Sequence, residues 1–83
     1  MSQAWYRARS LASLGTALAS ARKSAGLDQQ AMAEAIGSSR PTVSRMERGE
    51  AVSSATVWDA ATKAGYEIVL VPRGARVQVE DPA

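Results

Sequence analysis

Apolar residues recur along the first third of the chain with the spacing of an amphipathic helix. Five of them fall on one face at alternating intervals of three and four: Leu11, Leu14, Leu18, Ala21 and Ala25. Ser10 precedes this face as a candidate N-cap, and Gly26 follows it as a residue that can end a helix. The pattern therefore predicts a first helix from Ser10 to about Ala25, with its apolar face in the core.

Two short helices with a tight turn between them are predicted in the next segment. The first runs from Gln29 to Ile36, because Asp28 can accept the free N–H groups of its opening turn and Gly37 can end it. The second begins after its expected N-cap, Ser39, and continues to Arg48. This arrangement is typical of a helix-turn-helix. Five of its residues are expected to face the core: Met32, Ala33, Ile36, Val43 and Met46.

A fourth helix is predicted from Ala51 to Gly65, with Ser53 or Ser54 as its N-cap. Its inward face consists of small or branched apolar residues: Val57, Ala60, Ala61 and Ala64. Trp58 lies beside this face, and a position at the edge of the core is favoured for it over a contact in a dimer.

The segment from Tyr66 to Pro72 is rich in β-branched residues and predicts a strand. A single strand leaves its backbone groups unpaired, so it needs a partner. One solution is a hairpin with Arg76–Glu80, and the other is pairing with the same strand of a second chain in a two-fold dimer. The residues predicted to form that dimer contact are Tyr66, Ile68, Val69, Leu70 and Val71.

These elements divide the chain into four parts: an arm at 1–9, a helical domain at 10–65, the strand at 66–72, and a flexible tail or short second strand at 73–83. The arm contains Trp5 and Tyr6 together with Arg7 and Arg9. Packing of its aromatic residues onto the domain is favoured over contact with DNA phosphates or a partner protein.

Composition narrows the class of protein further. The chain has 83 residues, which suffices for one domain with a modest core, and its net charge is only +2. It contains no cysteine and no histidine, so the commonest nucleophile, general base and metal ligands are missing. An enzyme, a bound cofactor and a metal site are therefore not expected. A cytoplasmic protein without a membrane partner is the default expectation, because no signal peptide or long apolar run is present.

The segment from Gly26 to Gly49 resembles the Xre/Cro-type, lambda-repressor-like helix-turn-helix family. The shared positions are Gly26 to Ala33, Ile36 to Ser38, and Val43 to Gly49. The resemblance implies an all-α bundle of four helices that binds DNA through its third helix. It also implies a partly buried ion pair between Arg22 and Glu47, which would connect the first and third helices.

The resemblance implies which residues contact DNA. The family's base-facing or groove-facing positions are matched by Ser39, Arg40, Pro41, Ser44 and Arg45. A guanidinium can donate to both O6 and N7 of guanine, so the two arginines are the strongest candidates. Pro41 replaces the amide side chain of some relatives and would pack on a thymine methyl group.

A second group of residues is expected near the phosphates. Gln29 matches the family position that holds a phosphate at a helix N-terminus. Arg48 and Lys23 are additional candidates, while Thr42 and Ser44 could serve phosphate contacts or local hydrogen bonds equally well.

Four helices followed by one strand resemble the HipB-like antitoxins within this family. This resemblance implies a homodimer that binds double-stranded operator DNA in its own promoter and has a HipA-type kinase toxin as partner. The sequence leaves two alternatives open: a solitary or phage-type regulator, and an interaction module of helix-turn-helix shape that does not bind DNA.

Overall fold

The computed structural model describes residues 4–80, and this part of the chain contains four α-helices. They are α1 (Leu11–Ser24), α2 (Gln29–Ala35), α3 (Arg40–Glu47) and α4 (Ser54–Lys63). The predicted all-α helix-turn-helix bundle is confirmed. The first three residues of the predicted arm and the last three of the predicted tail lie outside the described residues.

Each helix is preceded by an N-cap residue that the sequence predicted: Ser10, Asp28, Ser39 and Ser53. The cap side chain accepts a backbone N–H from the third residue of its helix in all four cases. Of the two serines proposed for α4, Ser53 is the cap. Helix α1 has a reciprocal capping box, because the Ser13 hydroxyl accepts the Ser10 N–H.

The core lies where α3 and α4 each pack on α1 and α2, and most of its side chains are small. Val43 of α3 is completely buried, and Met32 and Ala33 of α2 are each 1% exposed. Ile36 is half-buried against this cluster. The other buried apolar residues are Leu18, Ala21, Met46, Ala60, Ala61 and Ala64. The predicted inward positions of α2 and α3 therefore form the core.

Three predicted core positions differ from the structure. Leu11 is 64% exposed, and Ala25 is also exposed. Leu11 is the first residue of α1 and Ala25 is its C-cap, so both lie outside the middle of the helix, where the packing occurs. Trp58 is 58% exposed, so its predicted place at the core edge is wrong. Val57 and Ala61 form the inward stripe of α4, and Trp58 lies about 100° around the helix from Val57.

The C-terminal segment makes no strand pairing within the described residues 4–80. Residues 66–72 have neither helical nor strand structure, and a hydrogen bond from the Ala75 N–H to the Pro72 carbonyl closes a turn after them. No hairpin with Arg76–Glu80 is formed within the part of the chain that the structure describes. Pairing with a second chain stays a prediction.

The N-terminal arm packs on this segment instead. The rings of Tyr6 and Tyr66 have centroids 5.7 Å apart, and the Tyr66 hydroxyl donates to the Ala4 carbonyl at 2.8 Å. The Tyr6 hydroxyl lies 3.2 Å from the Ser24 hydroxyl at the end of α1. Tyr6 thus packs onto the domain as predicted, whereas Trp5 remains about half exposed.

Gly15 allows α1 and α3 to approach closely. A Cβ atom at this position would lie 2.5 Å from the Glu47 carbonyl oxygen and 2.7 Å from that of Met46. Both contacts are with backbone atoms, which cannot rotate away as a side chain can. The helix crossing therefore depends on the absence of a side chain at Gly15.

We expect Gly15→Ala to destabilise the fold by about 1 to 3 kcal/mol, despite the better helix propensity of alanine, because α1 and α3 must separate. Urea unfolding followed by circular dichroism measures this change. Thr16→Ala is the control, since Thr16 is exposed on the same helix, and its stability should stay near that of the parent. Equal midpoints for the Gly15 variant and the parent would contradict the close packing.

Candidate nucleic-acid interface

The packing of α3 divides its side chains into a buried stripe and an exposed stripe. Val43 and Met46 lie inside the core, while Arg40, Pro41 and Arg45 are exposed. This division follows from the helical period, since residues three apart share a face. Pro41 lies in the first turn, where its missing N–H costs no helical hydrogen bond. Helix α3 thus presents two guanidinium groups on the side opposite the core.

The buried end of α3 is connected to α1 by a bidentate ion pair. Arg22 donates from Nε to Glu47 Oε2 at 2.7 Å and from Nη2 to Oε1 at 3.0 Å. Its Nη1 donates to the Leu27 carbonyl at 2.9 Å. The Arg22 and Glu47 side chains are only 9% and 7% exposed. Arg22 therefore contacts both α3 and the loop between α1 and α2.

The surroundings of Arg22 keep it charged. The hydrogen bonds that Arg22 donates to Glu47 raise the pKa of the guanidinium above its ordinary value, outweighing the lowering effect of burial. A group with a raised folded pKa stabilises the fold below its unfolded pKa and loses that contribution as the pH rises through the folded value. For Arg22 this loss occurs only in strong alkali, so its guanidinium stays charged throughout the neutral range.

Gln29 completes this network. Its Nε2 donates to Glu47 Oε1 at 3.0 Å, so the carboxylate oxygen that binds Arg22 Nη2 also accepts from the amide. Gln29 is the first residue of α2 and is half-buried. The sequence predicted a phosphate contact here but did not predict the link to Glu47, because the two residues are 18 positions apart. Phosphate binding by Gln29 remains a prediction.

The hydroxyl groups on α3 make local hydrogen bonds. The Ser39 hydroxyl accepts the Thr42 N–H and lies 2.9 Å from the Thr42 hydroxyl. Arg45 Nη2 donates to Thr42 Oγ1 at 3.3 Å, and Arg48 Nη1 donates to Ser44 Oγ. These bonds orient the guanidinium groups of Arg45 and Arg48 along the helix. Arg40 makes no side-chain hydrogen bond within residues 4–80, so its donors face outward unpaired.

The remaining phosphate candidates have different surroundings. Lys23 is exposed in the last turn of α1. Arg48 forms an exposed ion pair with Glu50, whose Oε2 accepts from Nε at 2.6 Å. Glu50 was not among the predicted residues, because α3 ends before it and no helical spacing indicates a pair with Arg48. Glu50 partly neutralises the charge of Arg48.

The residues predicted for dimerisation are mostly exposed. Leu70 is 93% exposed and Val69 is 69% exposed, and Ile68 and Val71 are also open to solvent. Tyr66 differs, because its ring and hydroxyl contact the arm of the same chain. Apart from Tyr66, the predicted dimer residues are therefore exposed apolar side chains.

The sequence model of the helix-turn-helix domain family matches residues 13–67. The chain belongs to this family. Its fold is that of an Xre-like member close to HipB-like proteins. No curated protein sequence matches the chain.

Three solved structures illustrate the likeness. The clp gene regulator ClgR from Corynebacterium glutamicum shares 33% identity over 68% of this chain, with a TM-score of 0.62, and the match spans 61% of the ClgR chain. A HipB variant in complex with an O2 20-mer has a TM-score of 0.74 at 20% identity, covering 84% of this chain and 99% of HipB. The HipA–HipB–O2–O3 complex gives 0.73 at 20% identity, covering 83% of this chain and 99% of the matched chain. The HipB likeness establishes the fold.

None of the helices within residues 4–80 is long and apolar enough to cross a membrane.

We expect Glu47→Gln to destabilise the fold by about 3 to 5 kcal/mol, because it leaves the buried Arg22 charge without its carboxylate. Chemical denaturation monitored by circular dichroism measures the loss. The matched control is Glu50→Gln, which removes the exposed partner of Arg48 and should cost less than about 1 kcal/mol. Similar losses for the two variants would show that burial of the Arg22 pair has no special weight.

Proposed function

We propose that this protein is a transcriptional repressor that binds double-stranded operator DNA sequence-specifically as a homodimer. One observation carries the proposal: α3 presents Arg40 and Arg45 outward while its opposite side is held by the core and by the Arg22–Glu47 pair. An exposed helix with rigid support suits the major groove, which is wide enough to admit an α-helix. The regulator fold of the family supports the same conclusion.

The proposed reading of bases depends on the first turns of α3. Arg40 and Arg45 would each donate two hydrogen bonds to a guanine edge, and Pro41 would pack on a thymine methyl group. Ser39 and Ser44 lie on the same exposed side and can contact base edges or bridging water with the hydroxyl capacity that their local bonds leave. Because Arg45 is already held by Thr42, its guanidinium loses less freedom on binding.

Phosphate contacts would position α3 in the groove. The first turn of α2 has free N–H groups and the positive end of the helix dipole, and Gln29 lies at its start. Lys23 and Arg48 add positive charge, and Thr42 offers a hydroxyl. In a two-fold dimer the two recognition helices would lie about 34 Å apart, or a multiple of that distance, so that both meet the same face of DNA.

The narrower proposal is that the protein is the antitoxin of a HipBA-like pair and represses its own operon. Its support is the fold match to HipB over 99% of that chain, including HipB in complex with HipA. A kinase-type toxin would then be the second partner. The second candidate is a solitary regulator, favoured by the 33% identity with the clp gene regulator ClgR.

Binding to duplex DNA from upstream of the protein's own gene tests the repressor proposal. We expect this duplex to bind at least about a thousandfold more tightly than scrambled duplex. Arg40→Ala and Arg45→Ala should each weaken specific binding by about 5- to 150-fold, the equivalent of 1 to 3 kcal/mol for a bidentate base contact. Fluorescence anisotropy over a salt series measures both effects, because phosphate contacts make affinity fall steeply with salt.

Lys63→Ala is the control for that titration, since it removes one exposed positive charge from α4 rather than from the recognition helix. It should leave the preference for the operator unchanged. If Lys63→Ala reduces the preference as much as Arg40→Ala, binding reflects net charge alone. Equal affinity of the parent for both duplexes would contradict autoregulation at this promoter.

Co-purification with the product of a neighbouring kinase-like gene distinguishes the two candidates. An antitoxin should form a stable complex with that product and suppress its toxicity, whereas a solitary regulator should do neither while still binding DNA. The control is the Arg40→Ala, Arg45→Ala double variant, which should keep toxin binding after losing the operator if the two surfaces are separate.

A further inference from the structure

The C-terminal segment is held at both of its ends by the N-terminal arm. At one end, the Tyr66 ring packs against the Tyr6 ring at a tilt of 46°, and its hydroxyl donates to the Ala4 carbonyl. At the other end, Arg7 Nη2 donates to the Ala75 carbonyl at 2.9 Å. These contacts join residues 62 and 68 positions apart in the chain. Residues 67–74 are therefore presented between two fixed points rather than as a free tail.

The presented segment borders a cleft on one side. Glu67, Val69, Val71, Pro72 and Arg73 line this cleft, and its other wall includes the arm. Ile68 and Leu70 do not line this cleft, and Leu70 is the most exposed of the large apolar residues. An apolar side chain with 93% of its surface in water is costly in a monomer and is typical of a surface that another chain covers.

Pro72 restricts how this segment can pair. In an antiparallel ladder, alternate residues direct their N–H and C=O groups toward the same neighbouring strand. Pro72 has no N–H, so the backbone N–H and C=O groups of the even-numbered residues should point away from the partner strand. The odd-numbered residues, Val69 and Val71 among them, would then form the hydrogen bonds. In this arrangement the missing N–H costs nothing.

Several registers keep the odd-numbered residues hydrogen-bonded, and the positions of the charged residues favour one of them. With Leu70 on the two-fold axis, residue 67 of one chain lies opposite residue 73 of the other, which brings Glu67 beside Arg73 twice. A shift of the axis to residue 69 places Glu67 opposite residue 71, and a shift to residue 71 places it opposite residue 75, where no positive charge is present. Within residues 4–80, neither Glu67 nor Arg73 has an ion-pair partner of its own. Opposite charges across a strand pair favour association.

We infer that residues 67–73 pair antiparallel with the same residues of a second copy, with Leu70 on the two-fold axis and Glu67 opposite Arg73 of the second copy. The inference rests on the homodimer of the proposed function and adds its register and its charge pairs. On the axis, Leu70 forms a pair without hydrogen bonds, which brings the two leucines close together. Ile68 of each chain lies beside them, opposite Pro72 of the second copy. The arm contacts each segment at both of its ends, which lowers the entropy lost on pairing.

Cysteine cross-linking tests the register directly, because the chain contains no natural cysteine. In the inferred pairing the Cα atoms of Leu70 and its copy are about 4.5 Å apart, within the range for a disulfide. Leu70→Cys should therefore form a covalent dimer with oxidised glutathione at low protein concentration. Val69→Cys is the matched control, since residue 69 and its copy are diagonal neighbours about 7 to 8 Å apart and should not cross-link.

A charge exchange tests the pairs between Glu67 and Arg73. Glu67→Lys and Arg73→Glu should each raise the dimer dissociation constant about tenfold or more, because attraction becomes repulsion at two symmetric sites. The double variant Glu67→Lys, Arg73→Glu should restore the parent value. Sedimentation velocity over a concentration series measures these constants, and thermal melting of each variant checks that the helical domain is intact.

The outcomes separate the inference from the proposed function. Preferential cross-linking of Val69→Cys, or a double variant no better than the singles, would overturn the register. A dimer in sedimentation without any cross-linking of Leu70→Cys would overturn pairing through this segment while leaving the homodimer in place. A monomer that still binds the operator specifically would overturn the inference and the homodimer but not DNA recognition.

Discussion

The bidentate contact between Arg22 and Glu47 is the interaction on which the position of the recognition helix depends. It joins the end of α1 to the end of α3, and Arg22 Nη1 donates to the Leu27 carbonyl just before α2 begins. Gln29 donates to the same carboxylate, so one acidic group fixes three helices at once. A buried carboxylate with this many donors tolerates little displacement, because each lost bond would leave a charged group unsatisfied. The direction in which α3 presents its arginines follows from this arrangement.

The core that surrounds the network is built from small side chains, so its stability depends on close approach. Alanines from α1, α2 and α4 and the bare backbone of Gly15 let the helices meet at short distances. Among residues 4–80, Met32 and Val43 are the largest side chains that are less than 2% exposed. An 83-residue chain has limited apolar surface to bury, which gives the ion pair and the helix caps a larger share in specifying the fold.

The two surfaces of functional interest lie at different parts of the molecule and have opposite chemistry. The exposed side of α3 is polar and positively charged at Arg40 and Arg45, as DNA recognition requires. The segment after α4 exposes apolar side chains and is held by the aromatic arm, which suits pairing with another chain. In the proposed dimer, the second surface sets the distance between two copies of the first. Pairing would thereby convert two weak half-site contacts into one specific interaction.

Structural features that depend on residues close together in the chain could be predicted from the sequence. Features that depend on contacts between residues far apart in the chain could not. The caps and the inward stripes of α2 and α3 depend on periods and on hydrogen bonds three or four residues apart, so the sequence by itself determined them. The resemblance to a known family also indicated the Arg22–Glu47 pair. Only the tertiary structure decided that Trp58 is exposed, that Gln29 binds Glu47, and that the arm holds the C-terminal segment. The reason is physical: a helical period shows which residues share a face, but whether that face is covered depends on where segments far along the chain come to lie.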